Sequence, residues 1–317
     1  MPGIKSNVLL KNFTTYKIGG PAKYFFAAKN RDGLMKALKT AKEFNLPVFI
    51  LGGGSNVLVS DKGFKGLVIK MQNANIKIKN DSEKSKIIFV EAGTLLSKLI
   101  DFCVKNGLSG LEWAAGIPGI TVGGAIYGHA QAFGEKMSDV VKSVEAVDEK
   151  TLKIINFTKK QCLFFLKNSI FKKNKNLAII SAVLELVKKN PKEIKNKIKE
   201  NLNYRKKAHP LNFPSAGSVF VNPEIVVKNK NLLTKFPELI EYNNKNGVIP
   251  AGYLISKCGL SEKRIGNAQI SKKHCNFIIN LGGAKAKDVL SLMELVKKEV
   301  KKTFGIELET EVQLVGF

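Results

Sequence analysis

Apolar and polar positions along this chain change period repeatedly, from about two residues to about 3.6 and back, the mark of strands mixed with amphipathic helices. Short apolar runs predict strands over residues 22–28, 47–51 and 67–71. Residues 31–44 carry Leu34, Ala37, Leu38 and Ala41 at the spacing of one helical face. Residues 71–85, rich in Asn and Lys, read as a strand and an exposed hairpin, hence as a subdomain boundary. A strand at 87–92 follows, then a helix N-capped by Thr94, with Leu95, Leu99, Phe102 and Cys103 on one side and an end near Asn106 and Gly107. Residues 140–147, 153–157 and 178–187 read as strands from alternation or β-branched content.

The last third changes character. Residues 191–207 predict a lysine-rich connecting helix with Ile194, Ile198 and Leu202 on one face. Pro-rich loops come next, then a helix at 251–258, strands around 265–270 and 277–280, and a long helix at 285–304. In that helix Val289, Leu292, Met293, Val296 and Val300 recur at helical spacing with lysines opposite, a core stripe. A strand at 306–315 closes the chain.

Two glycine-rich runs interrupt this pattern. Leu51 to Asp61 reads LGGGSNVLVSD, where Gly52, Gly53 and Gly54 follow a strand and leave backbone amides unobstructed by Cβ atoms. Ser55 and Asn56 add side-chain donors, and such a set suits the diphosphate of a dinucleotide. The G-x-G-x-x-G spacing of a Rossmann turn is absent, so an ordinary glycine turn is the competing reading. The second run, GIPGITVGGA at 116–125, permits close backbone approach to a flat ring system, or else is a tight structural loop.

At 317 residues, with 44% hydrophobic and 25% charged content, the chain has the composition of a soluble globular protein with two or three compact units. No signal peptide and no run of eighteen apolar residues is present, so a cytoplasmic protein with no membrane partner is expected. Cys103, Cys162, Cys258 and Cys275 are scattered without C-x-x-C pairing, which argues against a metal site and against a disulfide framework. The formal charge of +26 raises nucleic-acid binding. Yet only Arg31, Arg205 and Arg264 are arginine and the lysines are dispersed, so no nucleic-acid partner is expected, only favourable steering of an acidic substrate.

SAGSVFVNP at 215–223, taken with GGGSN, GIPGITVGGA, NSIF at 168–171 and ELETEVQLVG at 307–316, forms an ordered set. On these motifs the chain resembles the UDP-N-acetylenolpyruvoylglucosamine reductases over residues 12–316, in their compact form without an extra tyrosine-bearing loop. The resemblance implies an α+β protein: a two-subdomain FAD-binding domain of the vanillyl-alcohol-oxidase (PCMH) type, residues 1–70 and 71–190, and an α+β substrate-binding domain, residues 191–317. It implies FAD and NADPH as cofactors and a UDP-sugar substrate in peptidoglycan precursor synthesis; a monomer is expected.

Residue by residue, it implies FAD contacts from Gly52, Gly53, Gly54, Ser55, Asn56, Gly116, Ile117, Pro118, Gly119, Gly123, Gly124 and Tyr16. Ser218 would give a proton to the carbon beside the substrate carboxylate, and Glu311 would hold and polarise that carboxylate. Asn222, His274 and Lys263 would contact the substrate, while His209 reads as structural. Several positions depart from the pattern. Lys167 stands where the family has a catalytic arginine, keeping the charge without the planar fork. The second glycine run is one residue longer than GIPG-x-VGGA, and His129, Gln131, Val221 and Ser261-Glu262 replace the usual residues. These departures leave a second flavin-based reading open, an oxidase or dehydrogenase of another acidic substrate; charge alone motivates a third, a non-catalytic nucleic-acid binder.

Overall fold

The structure, a computed structural model, describes residues 3–245 and 247–317. The chain forms two compact units: residues 1–9, 21–55 and 64–207 make the first, and residues 10–20, 56–63 and 208–317 the second.

The first unit holds a small hairpin, Gln131–Ala132 with Glu135–Lys136, and two large sheets on one core. The smaller has the order Lys5–Leu9, Pro21–Ala28, Phe64–Met71, Val48–Leu51, antiparallel in the first pair and parallel in the other two. Helix Arg31–Glu43 connects two of its strands; its cap Asn30 accepts from Gly33 N at 2.8 Å, and the predicted face of Leu34, Ala37, Leu38 and Ala41 is buried. The six-stranded sheet is antiparallel, in the order Ile154–Thr158, Val141–Asp148, Leu177–Lys188, Ser85–Glu91, Ile76–Asp81, with Leu108–Ser109 also pairing Leu177–Lys188. Leu67, Ile69, Val90, Ile180, Leu184 and the fully buried Trp113 belong to the one core that both sheets share.

Three expectations are corrected here. Helix Leu96–Lys105 starts at Leu95 with no side-chain cap, because Leu95 is extended and its segment pairs with the second glycine run: Val122 N donates to Thr94 O at 2.8 Å and Leu96 N to Ile120 O at 3.0 Å. That second run is not all loop, since its latter part opens the short helix Val122–Tyr127. Helix Pro191–Ala208 buries Ile194 of its predicted face and packs Ile198 against the core, but it is more than a connector. Leu202 is exposed, and the residues it buries include Asn201 and Arg205, which bond to the backbone of residues 112–115; up to Lys207 this helix lies in the first unit rather than opening the last.

In the second unit helix Ala286–Phe304 buries its predicted stripe within a separate core containing Leu254, Ile270 and Ile278. The Asp61 carboxylate accepts from Ala286 N at 2.9 Å and Lys287 N at 3.2 Å, and Gly305 ends the helix at φ 70°. The apolar run at 265–270 is a tight hairpin, Arg264–Ile265 with Ala268–Ile270, extended by Ile278–Asn280. The closing strand is only Gln313–Val315, parallel to Val57–Val59. Residues 306–312 bury Ile306, Leu308 and Val312 as a strand would, but their ladder is confined to isolated bonds with residues 219–221.

Candidate active site

In the first unit the two glycine runs meet. A Cβ on Gly53 would lie 1.5 Å from the Gly119 carbonyl oxygen, and Gly54, Gly116 and Gly119 have φ of 69°, 80° and 64°, a region closed to most side chains. The N–H groups of Gly52, Gly53, Ser55, Gly119 and Ile120 find no protein acceptor among the described residues. Gly123 and Gly124 are different: their N–H groups already serve Ala92 O (2.8 Å) and Thr121 Oγ1 (3.2 Å). Packing also demands the first of them, since a Cβ there would meet Ala92 Cβ at 2.9 Å. Ile117 N is likewise engaged, with Ala114 O at 3.2 Å, and Pro118 is exposed beside it. The buried Thr94 hydroxyl, on the segment paired with this run, has no partner among the described residues.

Side chains unremarked in the sequence support this cradle. Lys70, on strand Phe64–Met71, donates from Nζ to the Gly52 carbonyl. Arg205 donates from Nε to Ala115 O and from an Nη to Trp113 O, each at 2.9 Å, bracing the chain just before Gly116. Their sequence signal was faint: one lysine in a strand, one arginine in a lysine-rich helix, both bound to backbone rather than to any recognisable partner.

Lys167 sits at φ 52° in a turn whose ends, Phe165 and Asn168, exchange backbone bonds of 3.2 and 3.1 Å. Its carbonyl accepts from Lys172 Nζ at 2.9 Å, and Ser169 donates to Tyr127 O at 2.8 Å. The turn is therefore built, although the family arginine is missing from it.

In the second unit Ser218 and Glu311 are brought close through the backbone. Ser218 pairs with Phe277 in an isolated bridge; the next residue, Val219, donates to Asn276 O and accepts from Glu311 N, each at 2.8 Å. Asn276 clamps the same segment, accepting from Phe220 N at 2.9 Å and donating to Phe220 O at 2.8 Å. Asn56, expected beside a cofactor, donates to the Glu311 carbonyl at 3.1 Å and accepts from Gln313 N at 3.0 Å.

His274 meets His209 edge-on and Phe277 at a tilt, at ring separations of 5.5 and 4.9 Å, and its Nδ1 accepts from Asn276 N at 3.3 Å, which leaves the proton on Nε2. Burial holds its pKa below the ordinary histidine value. Asn222 caps helix Ala251–Lys257 through Ala251 N (3.0 Å), keeping its NH2 end uncommitted, while Lys263 is exposed. Tyr16 is a fully buried core residue whose hydroxyl lacks a partner, and burial raises its pKa. Among the described residues no cluster of His, Cys, Asp or Glu has the makings of a metal site, and no helix is long and apolar enough to cross a membrane.

Residues 22–156 match the FAD binding domain, and residues 209–315 match the UDP-N-acetylenolpyruvoylglucosamine reductase C-terminal domain. Unpaired amides at two touching glycine runs, an orphaned buried hydroxyl and a nearby ammonium fit the diphosphate-bearing FAD that such a domain binds. Fold and site thus define an FAD-binding oxidoreductase.

The chain is 39% identical over 313 residues to UDP-N-acetylenolpyruvoylglucosamine reductase of Clostridium novyi (strain NT), covering 99% of this chain and 92% of that one. It is 39% identical over 315 residues to the enzyme of the same name from Anoxybacillus flavithermus, covering 99% and 94%. The crystal structure of UDP-N-acetylenolpyruvylglucosamine reductase from Thermus caldophilus aligns over 98% of each chain at 31% identity and a TM-score of 0.77. The chain belongs to the UDP-N-acetylenolpyruvoylglucosamine reductase family.

Proposed function

We propose that this protein, a cytoplasmic monomer, reduces UDP-N-acetylglucosamine enolpyruvate to UDP-N-acetylmuramate, a step of peptidoglycan precursor synthesis, with NADPH as reductant. FAD, when bound, supplies the hydride for the terminal enolpyruvyl carbon after taking it from NADPH. The free amides of Gly52, Gly53, Ser55, Gly119 and Ile120 hold its diphosphate.

Hydride arrival places negative charge on the neighbouring carbon and its carboxylate. Glu311 holds that carboxylate, sharing a proton with it, because two facing carboxylates do not both stay ionised. Lys167 contributes a positive charge as a point rather than a fork. Ser218 Oγ–H protonates the carbon. Asn222, His274 and Lys263 bind the substrate.

The observation that carries the reading is the 2.8 Å bond from Glu311 N to Val219 O, which keeps the proton donor and the carboxylate-holding residue in fixed register. The test is anaerobic stopped-flow on the flavin absorbance. NADPH should bleach it and the enolpyruvyl substrate should restore it. In Ser218→Ala the bleaching persists while the restoring step slows by about 10²–10⁴-fold. Bleaching without restoration in the unaltered protein would transfer the assignment to another acidic substrate, the reading that Lys167 in place of arginine favours.

A further inference from the structure

Along strand Phe64–Met71 the residues Leu67, Ile69 and Met71 enter the shared core, so the two-residue period puts Val68 and Lys70 on the other face of the sheet. Lys70 pairs in register with Leu51, the last residue before the first glycine run, and its Nζ reaches the Gly52 carbonyl. The side chain is half-buried, and burial lowers its pKa with no opposing contribution from an acid. No ion pair holds Lys70 among the described residues; the carbonyl of Gly52 is its one partner.

An ammonium withdrawn from water and given one neutral acceptor is costly. In the turn it reaches, three amides, of Gly52, Gly53 and Ser55, lack acceptors among the described residues. Unpaired donors in this turn, with a cation without a counter-anion reaching it from the neighbouring strand, call for a polyanion with several oxygens, and in a unit that binds FAD that polyanion is the diphosphate bridge.

We propose that Lys70 is the counter-charge of the FAD diphosphate, pairing with it from the end of the sheet while the glycine amides hold its oxygens. This rests on reading the two glycine runs as the FAD cradle. Half-buried Lys86, by contrast, has the Asp81 carboxylate at 3.0 Å; Lys70 is placed where its charge is useful only when the cofactor is present.

The experiment is titration of the flavin-stripped full-length protein with FAD, followed by quenching of flavin fluorescence, together with the thermal midpoint of the FAD-free form. Lys70→Gln keeps a donor for the Gly52 carbonyl and removes the charge; Lys70→Met removes both and provides a second variant should the first fail to fold. FAD affinity should fall by at least about tenfold, the weight of one charge-assisted hydrogen bond, while the FAD-free midpoint stays level or rises. A structural lysine would lower both together, and that result overturns the proposal. So does FAD binding within about twofold of the unaltered protein, or a change confined to the NADPH KM. If the unaltered protein takes up no FAD, the cradle itself is misread; failure to turn over the enolpyruvyl substrate leaves these affinities untouched.

Discussion

His129 Nδ1 lies 2.6 Å from the Phe165 carbonyl oxygen, and its Nε2 lies 2.9 Å from Ser138 Oγ. Burial lowers the pKa of the ring, so the neutral tautomer with the proton on Nδ1 donates to Phe165 and accepts from Ser138. Phe165 opens the turn that presents Lys167, so His129 acts on Lys167 by holding its turn. The backbone at His129 has φ 44°, a conformation that asparagine adopts more readily than most residues.

His129→Leu should therefore lower stability by about 1–2 kcal/mol, from a buried Ser138 hydroxyl and a part-buried Phe165 carbonyl left unpaired, and slow turnover while FAD stays bound. His129→Asn should lose less of both. Urea unfolding beside steady-state rates decides this; full turnover in the leucine variant would sever His129 from Lys167.

Gly53→Ala should cost about 1–3 kcal/mol and empty the flavin site, because a methyl group 1.5 Å from Gly119 O must push the two glycine runs apart. Gly128→Ala is the matched control. Its added Cβ would stand 3.5 Å from Gly124 O, an ordinary contact, at a φ of −86° that alanine accepts. Flavin content after purification separates the two; an alanine at 53 that retains FAD would mean the runs move freely.

The parts of this molecule that were legible in sequence are those specified by local pattern. The stripe of Val289, Leu292, Met293, Val296 and Val300 announced a buried helix face, and the run 178–187 announced the central strand, because each encodes its own burial period. The glycine runs were legible as turns, though not the fact that each supports the other. Other relationships depend on partners far along the chain. Asn201 and Arg205 bond to carbonyls of residues 112–115, so nothing nearby in sequence marks them off from the exposed lysines around them. Thr94 has the chemistry of a helix cap, yet pairing of its segment with residues 120–122 overrode that local preference. Ile306, Leu308 and Val312 alternate as a strand does, but a strand also needs a neighbouring ladder, and theirs is confined to residues 219–221.

Arg205→Met should destabilise the first unit by about 3 kcal/mol, since two carbonyls lose a charged donor that is itself buried. It should also weaken FAD binding, because Ala115 immediately precedes Gly116, whose hypothetical Cβ would touch Leu202 and Arg205. Arg205→Lys cannot reproduce both bonds and should fall between. Calorimetric FAD titration measures the second effect, and undiminished FAD affinity in a destabilised Arg205→Met protein would confine the arginine to stability.

Glu149 offers a stability switch that does not depend on any ligand. Burial, reinforced by the neighbouring Asp148 charge, pushes its carboxyl from the ordinary value of 4.5 up to about 7. Asp148 is drawn the other way by the Thr151 amide, with help from the Thr151 hydroxyl and the Lys150 amide. As pH rises past the unfolded value, the unfolded chain releases the Glu149 proton first, so this residue withdraws stability between about pH 4.5 and 7 and nothing further above that. The full withdrawal has an upper bound of about 3 kcal/mol, reduced because the side chain keeps some contact with water. Glu149→Gln stays neutral throughout. It should be more stable than the unaltered protein by about 1–3 kcal/mol at pH 8 and indistinguishable from it near pH 4. Urea midpoints at the two pH values test the sign directly: a difference that is the same at both would mean that Glu149 is not held protonated by its burial.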